Sequence, residues 1–154
     1  MGYIMHLRKK IGHEELLTAG TGVFPVRDGE VLLQRRADNG LWTMHGGAIE
    51  IGEVPEDAAK REFFEETGLR ANALELIGVF SGPDTRYTYP NGDKVFIVGI
   101  FYLCTDFSGE VNIDPNEVRE LKWFPLGSLP AVEEISPPDR RVFTAFSEFM
   151  KNRI

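Results

Sequence analysis

Residues 55–68 specify a helix by residue type at both ends and along one face. Pro55 suits a first helical position, and Glu56 and Asp57 place acids where the helix dipole favours them. Gly68 ends the helix as a C-terminal cap. Val54 is a poor N-cap, so something beyond local propensity must hold the entry. Glu62, Glu65 and Glu66 fall at i, i+3 and i+4 on one face. Ala58 sits one turn earlier on that face, small enough to admit a bulky ligand, and Ala59 and Phe63 point toward a core. Like charges at these spacings destabilise a helix by roughly 0.2–0.5 kcal/mol per pair. Stability alone does not call for that arrangement. A divalent cation reverses the sign of the effect, and carboxylate oxygens are hard ligands suited to Mg²⁺ or Mn²⁺.

The run around this helix reads Gly47-x5-Glu53-x7-Arg61-Glu62-Phe63-x-Glu65-Glu66-x-Gly68-Leu69. It resembles the Nudix box, the signature of hydrolases that cut a diphosphate linked to another group. Seven fixed positions and two apolar ones coincide by chance on the order of once in ten million chains of this size. The resemblance implies an α/β fold, a Nudix-type α/β/α sandwich with a mixed β-sheet. It implies Glu62, Glu65 and Glu66 as metal ligands with the Gly46 carbonyl, and Mg²⁺ or Mn²⁺ as cofactor. Glu62 is then the general base or a further ligand. Arg61 could hold Glu53 in a bidentate pair and so orient the acids. Glu53, Arg61, Glu62 and Glu65 form the expected catalytic set.

The text before the box departs from the family's usual Leu-Pro-Gly-Gly: here it is Met44-His45-Gly46-Gly47. Gly46 and Gly47 are expected to form a tight turn in which a backbone carbonyl approaches a metal. His45 is read as a tolerated loop residue.

The chain has 154 residues and a formal net charge of −7. Within 50–69, seven acids (Glu50, Glu53, Glu56, Asp57, Glu62, Glu65, Glu66) face two bases (Lys60, Arg61), a local net charge of −5. Much of the excess charge lies at the proposed metal site. With no basic run, stable nucleic-acid binding is not expected, while a small nucleoside diphosphate carried in with its cation meets no such objection. Cys104 is the single cysteine, so neither an intramolecular disulfide nor a cysteine-based zinc site is available; it reads as a core residue. No apolar run spans a membrane and no signal core is visible, which makes the cytoplasm the expected location.

Residues 1–17 read as an amphipathic lead-in, a short helix or edge segment that could serve a homodimer, and 18–154 as one domain. Strands are expected over 18–26 and 30–36 around an Asp28-Gly29 hairpin, and 37–43 as a loop. Further strands are expected over 74–81, 94–105 and 121–125, with Asn91-Gly92 as a second hairpin turn. Residues 94–105 are apolar on both faces, the mark of a doubly covered strand. Residues 139–153 read as a closing helix buried through Val142, Phe143, Phe146, Phe149 and Met150. Pro137-Pro138-Asp139 reads as a rigid helix entry without chemistry.

For the rest of the substrate, Tyr87 and Tyr89 could stack a base or cover a sugar, with Trp42, Phe80 and Phe124 as further aromatics. Arg36 could meet a phosphate, as could Arg35 and Arg86. The resemblance implies one more acid on a late loop, and Glu117 is chosen over Glu120. The activity implied is metal-dependent hydrolysis of a nucleoside diphosphate derivative, of the ADP-ribose or nucleotide-sugar type. Its alternatives are a MutT-like nucleoside triphosphate pyrophosphohydrolase and a non-catalytic nucleotide-binding module.

Overall fold

The structure is a computed structural model and describes residues 2–153. An N-terminal helix α1 (Tyr3–Ile11) precedes a long strand β1 (Leu16–Arg27), which turns at Asp28-Gly29 into β2 (Glu30–Arg36). Two short strands follow, β3 (Trp42–Thr43) and β4 (His45–Ala48), then helix α2 (Pro55–Thr67). The chain continues through β5 (Leu69–Phe80), β6 (Arg86–Thr88), β7 (Lys94–Gly109) and β8 (Val118–Pro125) to the closing helix α3 (Arg140–Asn152).

The main path through the sheet is β3-β2-β1-β7-β5, with β4 on β1, β6 on β7 and β8 on β2. β1 and β7 run parallel from Leu16↔Val95 to Pro25↔Cys104, and every other pairing is antiparallel. The sheet is therefore mixed, as expected.

Alternation along the central strands divides the core in two. Phe24, Val31, Leu33, Phe101 and Leu103 pack with Val142, Phe143 and Phe146 of α3. Val23, Leu32, Tyr102 and Cys104 pack with Ala59 and Phe63 of α2. Successive side chains of β7 thus meet opposite helices, as the two-sided apolar reading requires. Phe24 stacks on Phe146 at 4.2 Å between ring centroids, so α3 is seated by aromatic contact as well as by its apolar stripe.

Several boundaries differ from expectation. β5 begins at Leu69, directly after the Gly68 cap (φ 81°), and β7 runs on to Gly109. Within 69–73 only Leu69 and the small Ala71 pack on the α2-side core, beside the exposed Arg70 and Asn72, and alanine and asparagine are poor strand formers, so the strand signal is weak. The expected loop 37–43 contains β3, two residues paired with β2. Ala58 is fully buried, so it packs against the sheet and does not lie open beneath the acids. Helix α1 presents Ile4, Leu7 and Ile11 as a half-buried stripe, the amphipathic lead-in expected. Among the described residues no helix is long and apolar enough to cross a membrane.

Candidate active site

The acidic face of α2 lies against β4, and two glycines make that approach feasible. Gly46 and Gly47 are not in a tight turn, as expected from sequence. They sit inside β4, opposite Gly22 and Thr21 of β1. A Cβ on Gly46 would stand 1.9 Å from the Thr21 carbonyl oxygen, and one on Gly47 would stand 2.6 Å from the Glu62 carboxyl carbon. The first glycine admits a neighbouring strand, and the second admits the Glu62 carboxylate.

Arg61 organises the acids. Its Nε and Nη2 donate to Glu53 Oε2 and Oε1 at 2.7 and 2.9 Å, the bidentate pair expected from the spacing. Its Nη1 donates to Glu62 at 2.8 Å and reaches Glu65 at 3.4 Å, and Nη2 also meets the Ala48 carbonyl. Glu53 Oε1 accepts the Glu50 N–H. No side chain caps the Val54 end of α2. The Arg61–Glu53 clasp ties the preceding loop to the helix instead, which supplies the support that Val54 lacks. The Arg61 guanidinium draws the Glu53 carboxyl down to about 2.

Glu66 faces the other way along β4. Its Oε1 accepts the Gly46 N–H and the Gln34 side-chain amide, both at 2.8 Å. The residue keeps some exposure, but its carboxyl group is crowded by protein. Desolvation and the nearby Glu62 charge push that carboxyl up to about 8. Burial also raises Glu62, against the pull of Arg61 and with added repulsion from Glu65 and Glu117.

His45 is no loop residue. It is fully buried in β4, against Phe63 of α2. Its Nε2 meets the Leu32 carbonyl at 2.8 Å and its Nδ1 meets Gln34 Nε2 at 2.9 Å. A carbonyl only accepts and an amide nitrogen only donates, so the network requires the proton on Nε2. Burial lowers the ring to about 4, and it is neutral at pH 7. The chain Leu32–His45–Gln34–Glu66 therefore braces one acid from inside the sheet. Gln34 and this use of His45 were missed in the sequence. The signal was the alternation of β2, which turns Gln34 to the face of Leu32.

The donor chemistry fits a hard divalent cation: three glutamate carboxylates and a backbone carbonyl. The ligands are not drawn together, however. Among the described residues no three His, Cys, Asp or Glu side chains converge closely enough to hold an ion. Arg61 takes Glu62 and Glu65 while Gln34 and Gly46 take Glu66, which separates the carboxylates.

Two hollows adjoin the acids. One, of about 290 Å³, is lined by Gln34, Arg36, Asp38, Glu66, Asn116 and Glu117. It brings the exposed Glu117 toward Glu66, whereas Glu120 is occupied by Arg35 at 3.4 Å. The other, of about 320 Å³, includes Gly46, Gly47, Glu66, Arg36, Tyr89 and Asp139 in its walls. Arg36 is shared by both. It pairs bidentately with Asp38 at 2.8 and 2.7 Å and lies 5.4 Å from the Tyr89 ring centroid.

The remaining substrate candidates separate clearly. Tyr89 lines the larger hollow. Tyr87 does not; it packs edge-on against Tyr89 at 5.0 Å, and its hydroxyl lies 3.2 Å from Asn39 Nδ2. Trp42 and Phe124 are buried against each other at 4.9 Å, and Phe80 packs on the α3-side core. Arg86 is paired with Glu15. Asp139, read as having no chemistry, accepts a hydrogen bond from Thr43 Oγ1 at 2.7 Å, and burial raises its carboxyl. The turn at Pro137–Asp139 carries it into the wall of the hollow, a placement that local sequence does not encode.

Comparison with known proteins accords with this geometry. The NUDIX domain model matches residues 16–146. A MutT-like protein of Streptomyces ambofaciens is 49% identical over 102 residues, covering 66% of this chain and 59% of that protein. An ADP-ribose pyrophosphatase of Methanocaldococcus jannaschii is 34% identical over 107 residues, covering 68% and 59%. The chain thus spans 59% of the length of both curated relatives. The crystal structure of a MutT NUDIX hydrolase from Burkholderia pseudomallei superimposes with a TM-score of 0.70 at 30% identity, over 84% of this chain and 98% of that one.

Proposed function

The chain belongs to the Nudix family, and from that premise we propose that it hydrolyses a diphosphate linkage in a nucleoside diphosphate derivative of the ADP-ribose or nucleotide-sugar type. One observation carries the reading: the Arg61 clasp holds Glu62 and Glu65 of α2, with Glu53 of the preceding loop, where the helix meets the Gly46–Gly47 strand, beside a hollow that Glu66 helps to line.

In this reading Glu62, Glu65, Glu66 and the Gly46 carbonyl hold Mg²⁺ or Mn²⁺, with Glu117 as an additional acid from the late loop. The cation supplies positive charge to the diphosphate and lowers the pKa of water. The protein's own groups do the rest. Arg61 fixes the rotamers of Glu53 and Glu62. Glu62 serves either as one of these ligands or as the base that takes a proton from the attacking water. Arg36 offers charge to a phosphate oxygen and Tyr89 a face to the remainder of the substrate. Attack at one phosphorus breaks the bridging P–O bond and releases two phosphorylated products.

A MutT-like action on nucleoside triphosphates is the second reading, favoured by the 49% identity to the Streptomyces protein. Both readings require the same acids. Glu62→Gln and Glu65→Gln are each expected to lower Mg²⁺-dependent turnover by at least about 100-fold with unfolding temperatures close to the parent's. Unchanged turnover in both variants refutes the assignment.

A further inference from the structure

Helix α1 lies ahead of the residues that match the family domain, 16–146. It nonetheless contributes to the hollow beside the acids: Ile4 and Met5 are part of its wall. Both ends of the segment are tied to residues that adjoin other parts of that wall. At the start, the Tyr3 N–H donates to Glu50 Oε1 at 2.9 Å, two residues beyond Ala48 of β4. At the end, Arg8 donates to the Lys94 carbonyl at 2.7 Å, at the first residue of β7, and to the carbonyls of Gly12 and Glu14 at 3.0 and 2.6 Å. No residue of α1 is fully buried, and Met5 is 62% exposed. A helix with so little packing is held by these anchors, and Ile4 of its apolar stripe borders the hollow together with the exposed Met5.

The chemistry of the walls selects the occupant. Val95, Ile97 and Phe101 of β7 and Met44 join Ile4 and Met5 as apolar lining. Against these apolar groups the flat faces of a heterocycle shed water favourably. Polar partners for a ring edge are present too, with Asp139, Ser136 and Thr43 among the lining residues. Gly46 and Glu66 line the same hollow at the acidic face of α2.

We propose that α1 is a specificity-determining wall: Ile4 and Met5 close the hollow around the nucleobase of the substrate while its diphosphate lies at the acidic end. This deepens the proposed hydrolase reading and rests on it for the position of the diphosphate. A chain whose N-terminal helix is altered should therefore lose base recognition and keep its chemistry.

The test compares Ile4→Ser and Met5→Ser with Lys9→Ser, which changes an exposed residue of the same helix. Hydrolysis is measured with ADP-ribose and with ribose 5-diphosphate, which has no base. Binding of AMP to the metal-free protein is measured separately by calorimetry. The expected result in Ile4→Ser and Met5→Ser is a KM for ADP-ribose raised roughly tenfold, a small change in kcat, an unchanged KM for ribose 5-diphosphate and AMP affinity weakened by a similar factor. Lys9→Ser should match the parent. Equal losses on both diphosphates, or a fall in kcat alone, show that α1 only supports the fold and overturn the proposal. Unchanged KM and AMP affinity overturn it equally. If Ile4→Ser unwinds α1 by circular dichroism, Met5→Ser at the rim decides. Should the parent hydrolyse neither compound, the ADP-ribose reading fails by itself. AMP binding then decides the role of α1: weakened affinity in the variants upholds it, and equal or absent binding rejects it.

Discussion

Substituting Gly47 by alanine places a methyl group where the Glu62 carboxylate now lies. The added Cβ would be 2.6 Å from Cδ and 2.8 Å from both carboxylate oxygens, closer than real contacts allow. The obstructing atoms are the far end of a flexible side chain, so the strand can stay and Glu62 must rotate away. That movement breaks the 2.8 Å bond from Arg61 Nη1. An off-rotamer side chain costs about 0.5–1.5 kcal/mol, and a hydrogen bond between charged groups contributes about 1.5–3 kcal/mol. Rehydration of the displaced carboxylate offsets part of this, leaving a loss of about 1–3 kcal/mol, or a fall in Tm of about 3–10 °C. Activity should fall far more, by at least about 100-fold in kcat, because a misplaced base or ligand forfeits most of its contribution. Gly46→Ala is the control with the opposite balance. Its Cβ would lie 1.9 Å from the Thr21 carbonyl and 2.8 Å from Gly22 Cα. No rotamer relieves a backbone clash, so β1 and β4 must part, at more than about 4 kcal/mol. The assays are thermal unfolding and phosphate release with Mg²⁺. A Gly47→Ala protein that folds and turns over within a fewfold of the parent would refute the claim that Glu62 must occupy its observed place.

Other outcomes follow from the same contacts. His45 has a folded pKa of about 4 against an ordinary 6.5, so the unfolded chain binds the extra proton between those values. Stability therefore rises with pH across that window, by up to about 3 kcal/mol, and urea titrations of His45→Asn should lose the slope. Glu66 acts in the opposite sense. Its carboxyl is raised to about 8 from 4.5, so in the metal-free protein its contribution is full below pH 4.5 and is lost as pH rises through 8; Glu66→Gln should remove that decline. Glu53→Gln breaks the bidentate clasp and should reduce turnover by about 10–100-fold with the fold retained, measured by kcat and circular dichroism. Asp139→Ala strands the Thr43 hydroxyl at a cost of about 1–3 kcal/mol and should raise KM, read from denaturation and steady-state kinetics.

The legible parts of the sequence were those with a local cause. The ends of α2, the shared face of Glu62, Glu65 and Glu66, and the Arg61–Glu53 pair all follow from spacing on one helix and its adjoining loop. The two-sided character of β7 followed from period-two alternation. What escaped was set by distant partners. His45 is ordinary in its own stretch of chain, and becomes a buried brace because Leu32 and Gln34 of β2 lie beneath β4. Gly46 and Gly47 look like a turn until β1 is seen passing within contact of them. Asp139 follows two prolines and reads as a helix entry, yet the turn delivers its carboxyl to Thr43 of β3. The start of β5 was hidden because its buried face is carried only by Leu69 and a small alanine.

The most direct measurement is product release from ADP-ribose, nucleotide sugars, dinucleoside polyphosphates and nucleoside triphosphates, each with Mg²⁺, with Mn²⁺ and with EDTA. A preferred diphosphate substrate, cleaved with either cation and silent in EDTA, is the predicted result. Absence of turnover across the panel by a folded protein that binds the cation would contradict the account, and cleavage unaffected by EDTA would contradict the proposed role of the glutamates.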